Sequence, residues 1–138
     1  MHSAQAADAG QEFLAKKATE SGVIKTQSGL LYKVLNRGSG SVSPRPTDRV
    51  TVHYRGTLID GTEFDSSYSR GSPATFGVNQ VIKGWTEALQ LMKPGDKFEL
   101  YIPSELAYGS RAVGSRIPPN SVLIFTVELL NINGGRDL

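Results

Sequence analysis

Residues 50–85 read VTVHYRGTLIDGTEFDSSYSRGSPATFGVNQVIKGW, and this stretch decides the fold. It begins with Val50, Val52 and Tyr54 in alternation with polar residues, which predicts a strand with one buried face. The Asp60-Gly61 pair then predicts a hairpin, because glycine supplies the positive φ of a type I′ turn. We therefore expect an antiparallel pair of strands at the centre of the sheet.

The end of this stretch leads into one short helix. Trp85, Ala88, Leu89 and Met92 recur at the spacing of a single helical face. Pro94-Gly95 follows directly and predicts where the helix ends. A helix with so apolar a face must pack across one face of the sheet.

Further strands are predicted on both sides of this region, at residues 30–35, 97–103 and 121–132. In the second of them, Phe98, Leu100 and Ile102 should point inward, whereas Lys97, Glu99 and Tyr101 should face away. The predicted fold class is α+β, a curved antiparallel β-sheet of about five strands wrapped on one short central α-helix.

The N-terminal region has a different character. Residues 4–21 favour a helix by composition, with Gly22 as its stop. Phe13 and Leu14 are its large apolar side chains, so we expect either a stub of something longer or a mobile extension. Met1-His2-Ser3 resembles a tag remnant. We divide the chain into an extension, residues 1–27, and a folded domain, residues 28–138.

Composition excludes several classes of function. The chain has 138 residues, enough for one domain with its own core, and it contains no cysteine for disulfides or thiolate chemistry. Its formal net charge of +2 is small and its arginines are scattered, which argues against nucleic-acid binding. No apolar run approaches the roughly 20 residues that cross a bilayer, so membrane insertion is not expected.

Aromatic residues dominate the stretch that decides the fold, and they accompany one carboxylate, Asp65. Such a set predicts a pocket for an apolar ligand, with no metal and no cofactor. Trp85 taken alone is more often a core residue than a ligand platform, and Asp65 taken alone is more often a turn or cap residue. We favour Asp65 as a buried carboxylate that lines the pocket and bonds the Tyr54 hydroxyl. His53 alternates away from Tyr54, and it does not pair with His2.

Several motifs carry a family resemblance. VHYRGTLIDGTEFDSS, VIKGW, AYG, IPPNSVLIF and VELL occur in this order between Gly29 and Ile132. Together they resemble the FKBP-type peptidyl-prolyl cis–trans isomerases. The leading helix and GLLYKVLNRGSG resemble more narrowly the Mip-like (macrophage infectivity potentiator-like) bacterial branch, in which a catalytic domain follows a helical dimerisation segment.

The resemblance implies a set of site residues. Trp85 would form the pocket floor, Tyr108 would offer its hydroxyl to a ligand carbonyl, and Ile82 would offer its backbone N–H. Asp65, Tyr108, Phe64 and Tyr54 would carry catalysis. The whole implied binding set is Tyr54, Phe64, Asp65, Phe76, Val81, Ile82, Trp85, Tyr108, Ile117 and Phe125. Three positions depart from the common family pattern: Ala74, Val113 and Arg116.

The implied function is rotation about Xaa-Pro peptide bonds in partly folded polypeptides, with inhibition by macrolides. The alternative is a module or chaperone that binds proline segments or macrolides without significant turnover. This chain should be a monomer, because Phe13 and Leu14 offer little apolar area, and a full-length protein could be a homodimer. The resemblance favours a periplasmic, cell-surface or secreted location, with the cytoplasm as the alternative.

Overall fold

A computed structural model describes the backbone of residues 2–114 and 116–133, with side chains from Ala9 onward. Met1 of the predicted remnant and residues 134–138 of the predicted domain lie outside the described residues. The helices are α1 (His2–Lys17), α2 (Ser67–Arg70) and α3 (Lys83–Leu89). The strands are β1 (Val23–Lys25), β2 (Leu31–Asn36), β3 (Arg49–Leu58), β4 (Glu63–Ser66), β5 (Ala74–Gly77), β6 (Lys97–Ile102) and β7 (Leu123–Asn133).

The predicted fold class is confirmed. The strands form one antiparallel sheet in the order β1-β2-β6-β7-β3-β4, and β5 also pairs with β3. The described residues thus form seven strands rather than about five, because the short strands β1 and β5 carry too few residues for alternation to show. No helix in this part of the chain combines the length and hydropathy that a membrane span requires.

Strands β4 and β5 share one edge of β3. β4 pairs with the Arg55–Thr57 end of that strand, and β5 pairs with Arg49–Val52. The chain leaves the edge between them to form the short helix α2. Residues from both short strands are therefore brought to the same side of the sheet.

The hairpin between β3 and β4 is confirmed, but its predicted turn type is wrong. The Leu58 carbonyl accepts from Gly61 N–H, and the Leu58 N–H donates to the Thr62 carbonyl, so the loop contains three residues. Gly61 has φ 91°, whereas Asp60 is not among the residues with positive φ. A type I′ turn needs positive φ at both central residues. Here a turn with one positive-φ glycine is followed by a shift in strand register.

Helix α3 packs on the sheet through the predicted face. Trp85, Ala88, Leu89 and Met92 are all buried in the core. Gly84 allows the helix to approach the sheet, because a Cβ at this position would lie 2.7 Å from Ile102 Cγ2. The helix and β6 are therefore closer than most side chains would permit.

Helix α1 ends at Lys17, earlier than the predicted residue 21. The Thr19 hydroxyl donates to the Lys16 carbonyl at 2.7 Å, so this residue bonds locally instead of continuing the helix. Phe13 lies against Tyr101, with ring centroids 6.1 Å apart, and Lys17 Nζ lies 4.9 Å from the Tyr101 ring centroid. Helix α1 is thus docked on the sheet.

This docking explains why Tyr101 is not exposed. Tyr101 faces away from the main core as predicted, yet it is only 1% exposed. Alternation gives the side of the sheet on which a residue lies, but not whether another element covers that side. Gly10 of α1 completes the contact, since a Cβ there would lie 2.7 Å from Val122 Cγ2.

A truncation in α1 tests the docked arrangement. We expect Phe13→Ala to lower the free energy of unfolding by about 1–2 kcal/mol, because it removes a half-buried ring and uncovers Tyr101. Amide exchange in α1 should become faster. Urea denaturation and hydrogen exchange measure the two effects, and the exposed Glu12→Ala is the matched control. Unchanged protection in Phe13→Ala would mean that α1 is not held by this contact.

Candidate functional site

The aromatic floor of the site is built on Trp85, near the start of α3. This side chain is 4% exposed. Its ring contacts three aromatic side chains of the sheet at centroid distances of 5.3 Å for Tyr54, 5.6 Å for Phe76 and 5.2 Å for Phe125. The interplanar angles of 82°, 88° and 87° are edge-to-face, a favoured geometry for aromatic pairs. These three contacts fix the orientation of the indole ring.

A glycine in β3 makes room for the walls. A Cβ on Gly56 would lie 2.6 Å from Phe64 Cζ and 2.7 Å from Phe125 Cε1. The two rings instead meet edge to face, with centroids 5.5 Å apart and an angle of 88°. The positions of both walls depend on the absence of a side chain at residue 56.

These rings surround an open cavity of about 600 Å³. This size is typical of sites for small ligands or short peptide segments. All ten residues of the predicted binding set line it, so the structure brings together residues from β3, β4, β5, α3, β7 and the segments that precede α3 and β7. Four further residues complete the lining: Gln80, Val113, Gly114 and Arg116.

Asp65 lies at the rim of the cavity and is held by two donors. The Tyr54 hydroxyl donates to Oδ2 at 2.6 Å, which confirms the predicted bond. Arg70 Nη1 donates to Oδ1 at 2.7 Å, and Arg70 Nη2 donates to the Tyr54 hydroxyl at 3.1 Å. The prediction of a buried carboxylate is wrong, because the Asp65 side chain is 42% exposed. A rim position lets the carboxylate keep both water and protein partners.

The triad of Tyr54, Asp65 and Arg70 fixes the protonation of its members. Desolvation raises the pKa of Asp65, but the hydrogen bonds from Tyr54 and Arg70 and the arginine charge outweigh it, and the pKa is lowered. Desolvation, followed by the bond to Asp65, raises the pKa of Tyr54. The carboxylate is therefore ionised and the phenol neutral at ordinary pH.

Sequence reasoning missed Arg70. This residue belongs to the short helix α2, in which the Ser66 hydroxyl accepts from Ser69 N–H at 3.2 Å and Gly71 closes the end with φ 74°. This pattern of a serine cap and a glycine stop was visible in the sequence. It could have placed Arg70 at the last turn of a helix that follows Asp65, but not against Tyr54.

Two polar groups of the cavity lining have no internal partner. The Ile82 backbone N–H and the Trp85 indole Nε1 make no hydrogen bond within the described part of the chain. Tyr108 is 38% exposed at the rim. The N–H of Ile82 and the hydroxyl of Tyr108 are thus available to a bound segment. His53 lies on the other face of β3, where its ring stacks on Tyr68 at 4.6 Å.

The three positions that depart from the family pattern have different surroundings. Ala74 is half-buried on β5 opposite Val52. Val113 is 37% exposed and forms a bridge with Ile117 in the loop over the cavity. Arg116 belongs to the same loop, and its Nη1 donates to the Phe64 carbonyl at 3.2 Å. Val113 and Arg116 line the cavity, whereas Ala74 does not.

An antiparallel sheet is wrapped on one helix, and an aromatic cavity lies between them, which defines a class of α+β domains with an apolar cavity. Comparison with known proteins identifies the family. The family model described as FKBP-type peptidyl-prolyl cis-trans isomerase matches residues 40–130, and this chain belongs to that family. A second model, the domain amino terminal to FKBP-type peptidyl-prolyl isomerase, matches residues 1–34.

Individual relatives agree with this assignment. The FKBP-type 22 kDa peptidyl-prolyl cis-trans isomerase of Escherichia coli K12 is 58% identical over 89% of this chain and 59% of its own length. Outer membrane protein MIP of Legionella longbeachae is 50% identical over 89% of this chain and 52% of its own length. The chain therefore spans little more than half of each of these relatives.

Solved structures share the fold. The crystal structure of FkpA from Escherichia coli has a TM-score of 0.91 at 48% identity, covering 96% of this chain and 61% of that one. A peptidyl-prolyl cis-trans isomerase from Pseudomonas syringae pv. tomato has a TM-score of 0.87 at 38% identity, covering 95% of this chain and 96% of that one.

The role of Arg70 can be tested by titration. We expect Arg70→Gln to raise the pKa of Asp65, because it removes a charged donor while desolvation remains. Carboxyl-carbon NMR measures this pKa. Arg55→Gln is the matched control, since Arg55 pairs with Glu63 on the same strand pair. An Asp65 pKa that does not change in Arg70→Gln would contradict the described triad.

The same variant should change stability with a defined pH dependence. Since the pKa of Asp65 is lowered in the folded state, its contribution is present above the unfolded value of about 3.9 and is lost as pH falls through the folded value. Arg70→Gln should therefore be less stable than the parent at pH 7, and the difference should shrink in strong acid. Urea denaturation at both pH values measures it.

Proposed function

We propose that this chain accelerates cis–trans rotation about Xaa-Pro peptide bonds. The observation that carries the proposal is the convergence of ten predicted residues on one aromatic cavity, with a single carboxylate at its rim. Among the described lining residues there is no serine, cysteine or histidine, which fits a reaction without a covalent step. Membership of the isomerase family supports the same reaction.

The chemistry follows from amide resonance. The barrier to rotation is about 18–20 kcal/mol because twisting the bond removes its partial double-bond character. Resonance in the planar form separates charge, and water stabilises that charge. A cavity with Trp85 as its floor and Phe64 and Phe125 as its walls excludes this water, and it favours the twisted, less polar form of the amide. The cavity therefore binds the transition state better than the ground state.

Polar groups at the rim would position the substrate. We propose that the Ile82 N–H and the Tyr108 hydroxyl donate to substrate carbonyls, since both face the cavity without competing internal bonds. The fixed Asp65 carboxylate would interact with the amide carbon as its conjugation is lost. Arg70 and Tyr54 would hold Asp65 in the ionised form for this role.

We propose proline-containing unfolded or partly folded polypeptides as substrates and macrolides as inhibitors. Residues 28–138 would form the catalytic unit, with residues 1–27 as an extension. The chain would be monomeric, because Phe13 is already engaged on Tyr101. An exported location is supported by one relative that is named an outer membrane protein. The second candidate function, binding without turnover, rests on the same apolar cavity.

Activity on peptides separates the two candidates. We expect acceleration of Xaa-Pro exchange, with apolar Xaa preferred, and inhibition by a rapamycin-like macrolide. Tyr108→Phe should lower kcat/KM about 3- to 10-fold, the value of one hydrogen bond. Phe64→Ala should lower kcat/KM further, because it removes one wall of the cavity. Asp65→Leu should also lower kcat/KM, and because leucine is of similar size, this loss reports the carboxylate charge and its hydrogen bonds. NMR exchange spectroscopy measures these rates, and Tyr68→Phe, outside the cavity, is the control.

One result would reject the proposed enzymatic activity. If the folded parent protein binds the macrolide but does not accelerate any Xaa-Pro peptide, the binding-module alternative replaces the enzyme.

A pH profile tests the absence of acid–base catalysis. We expect kcat/KM to stay nearly flat from about pH 5.5 to 8.5, a range in which histidine is the side chain that ordinarily titrates. Asp65 titrates below this range because its pKa is lowered, and Tyr54 titrates above it because its pKa is raised. His53→Gln should leave the rate unchanged. A bell-shaped profile that disappears in His53→Gln would demonstrate general acid–base catalysis instead.

A further inference from the structure

One of the two charged side chains that line the cavity has no partner of opposite charge among the described residues. The lining contains two charged side chains, Asp65 and Arg116, among the described residues. Asp65 has an arginine partner at 2.7 Å, so this pair is neutral overall. Arg116 has no carboxylate within 4.0 Å in the described part of the chain. The cavity mouth therefore carries one positive charge that the protein itself does not neutralise.

Most of the Arg116 guanidinium is available for binding. Its one hydrogen bond among the described residues goes from Nη1 to the Phe64 carbonyl at 3.2 Å. A guanidinium has five N–H donors, and those that remain can bind a carboxylate in a fork. The bond to Phe64 holds the group above the wall of the cavity and leaves it exposed to solvent. Arg116 is thus placed to meet a substrate side chain at the rim.

We propose that Arg116 is a specificity-determining residue that favours substrates with an acidic side chain immediately flanking the Xaa-Pro pair. This inference rests on the proposed function. The Xaa-Pro pair itself occupies the apolar cavity, so residues on either side of it pass along the rim. An aspartate or glutamate there meets Arg116, whereas a lysine there meets an uncompensated like charge.

The size of the effect is that of one exposed ion pair. We expect kcat/KM for a glutamate-flanked peptide to exceed that of its glutamine counterpart about two- to fivefold. The gain should be in KM with kcat unchanged, because the ion pair forms equally in ground and transition states. Raising salt from about 0.15 M to about 1 M should reduce it, since the screening length falls from about 8 Å to about 3 Å.

The experiment uses one peptide series and three variants. Peptides with an apolar Xaa carry Glu, Gln or Lys before or after the Xaa-Pro pair, and NMR exchange gives kcat and KM for each. In Arg116→Gln the Glu-to-Gln ratio should fall to about one, and in Arg116→Lys it should be partly retained. Arg111→Gln removes an equal charge from the same loop outside the cavity, and it should keep the parent ratio.

The Glu-to-Gln ratio of kcat/KM distinguishes a role of Arg116 in substrate selectivity from a purely structural role. If Arg116 only fixes the loop through the Phe64 carbonyl, Arg116→Gln will slow all peptides equally and leave the ratio unchanged, which overturns the proposal. A parent ratio near one at low salt also overturns it, while turnover of the glutamine peptide keeps the proposed function intact. Absence of turnover on every peptide rejects the proposed function and this inference with it.

Discussion

The contact between Trp85 and the sheet is the constraint on which the rest of the structure depends. Its ring meets Tyr54, Phe76 and Phe125 edge to face, and these three belong to three different strands. A helix of only seven residues has little stability of its own. The same rings that bury it form the floor of the cavity. The packing of α3 and the shape of the cavity therefore depend on one set of side chains, and a change in one changes the other.

Local patterns in the sequence correctly predicted which faces of β3 and α3 are buried. Alternation in β3 and the helical spacing from Trp85 to Met92 each report a buried face, and both were correct. The family resemblance supplied the pocket residues, which lie on five elements and two connecting segments and which no spacing rule could have grouped. The turn at Asp60-Gly61 was assigned wrongly because the same dipeptide fits two loop lengths. The strand register decides between them, and that register depends on long-range pairing.

The errors share a physical origin in covering and pairing by side chains of other elements. Tyr101 faces away from the core, and only the docking of α1 buries it. Asp65 was expected inside, yet it lies at the rim, where it pairs with Arg70. Arg70 itself is an ordinary surface residue by composition. In each case the partner belongs to a different element, and periodicity within one element does not predict such a contact.

The split edge of the sheet has a consequence for contact with other polypeptides. An edge strand with unpaired N–H and C=O groups is a template for aggregation. Here one edge is the three-residue strand β1, and the other is divided into the four-residue strands β4 and β5 by α2. Neither offers a long straight row to an extended polypeptide. An extended polypeptide that approaches the cavity would therefore find little edge backbone with which to form an intermolecular sheet.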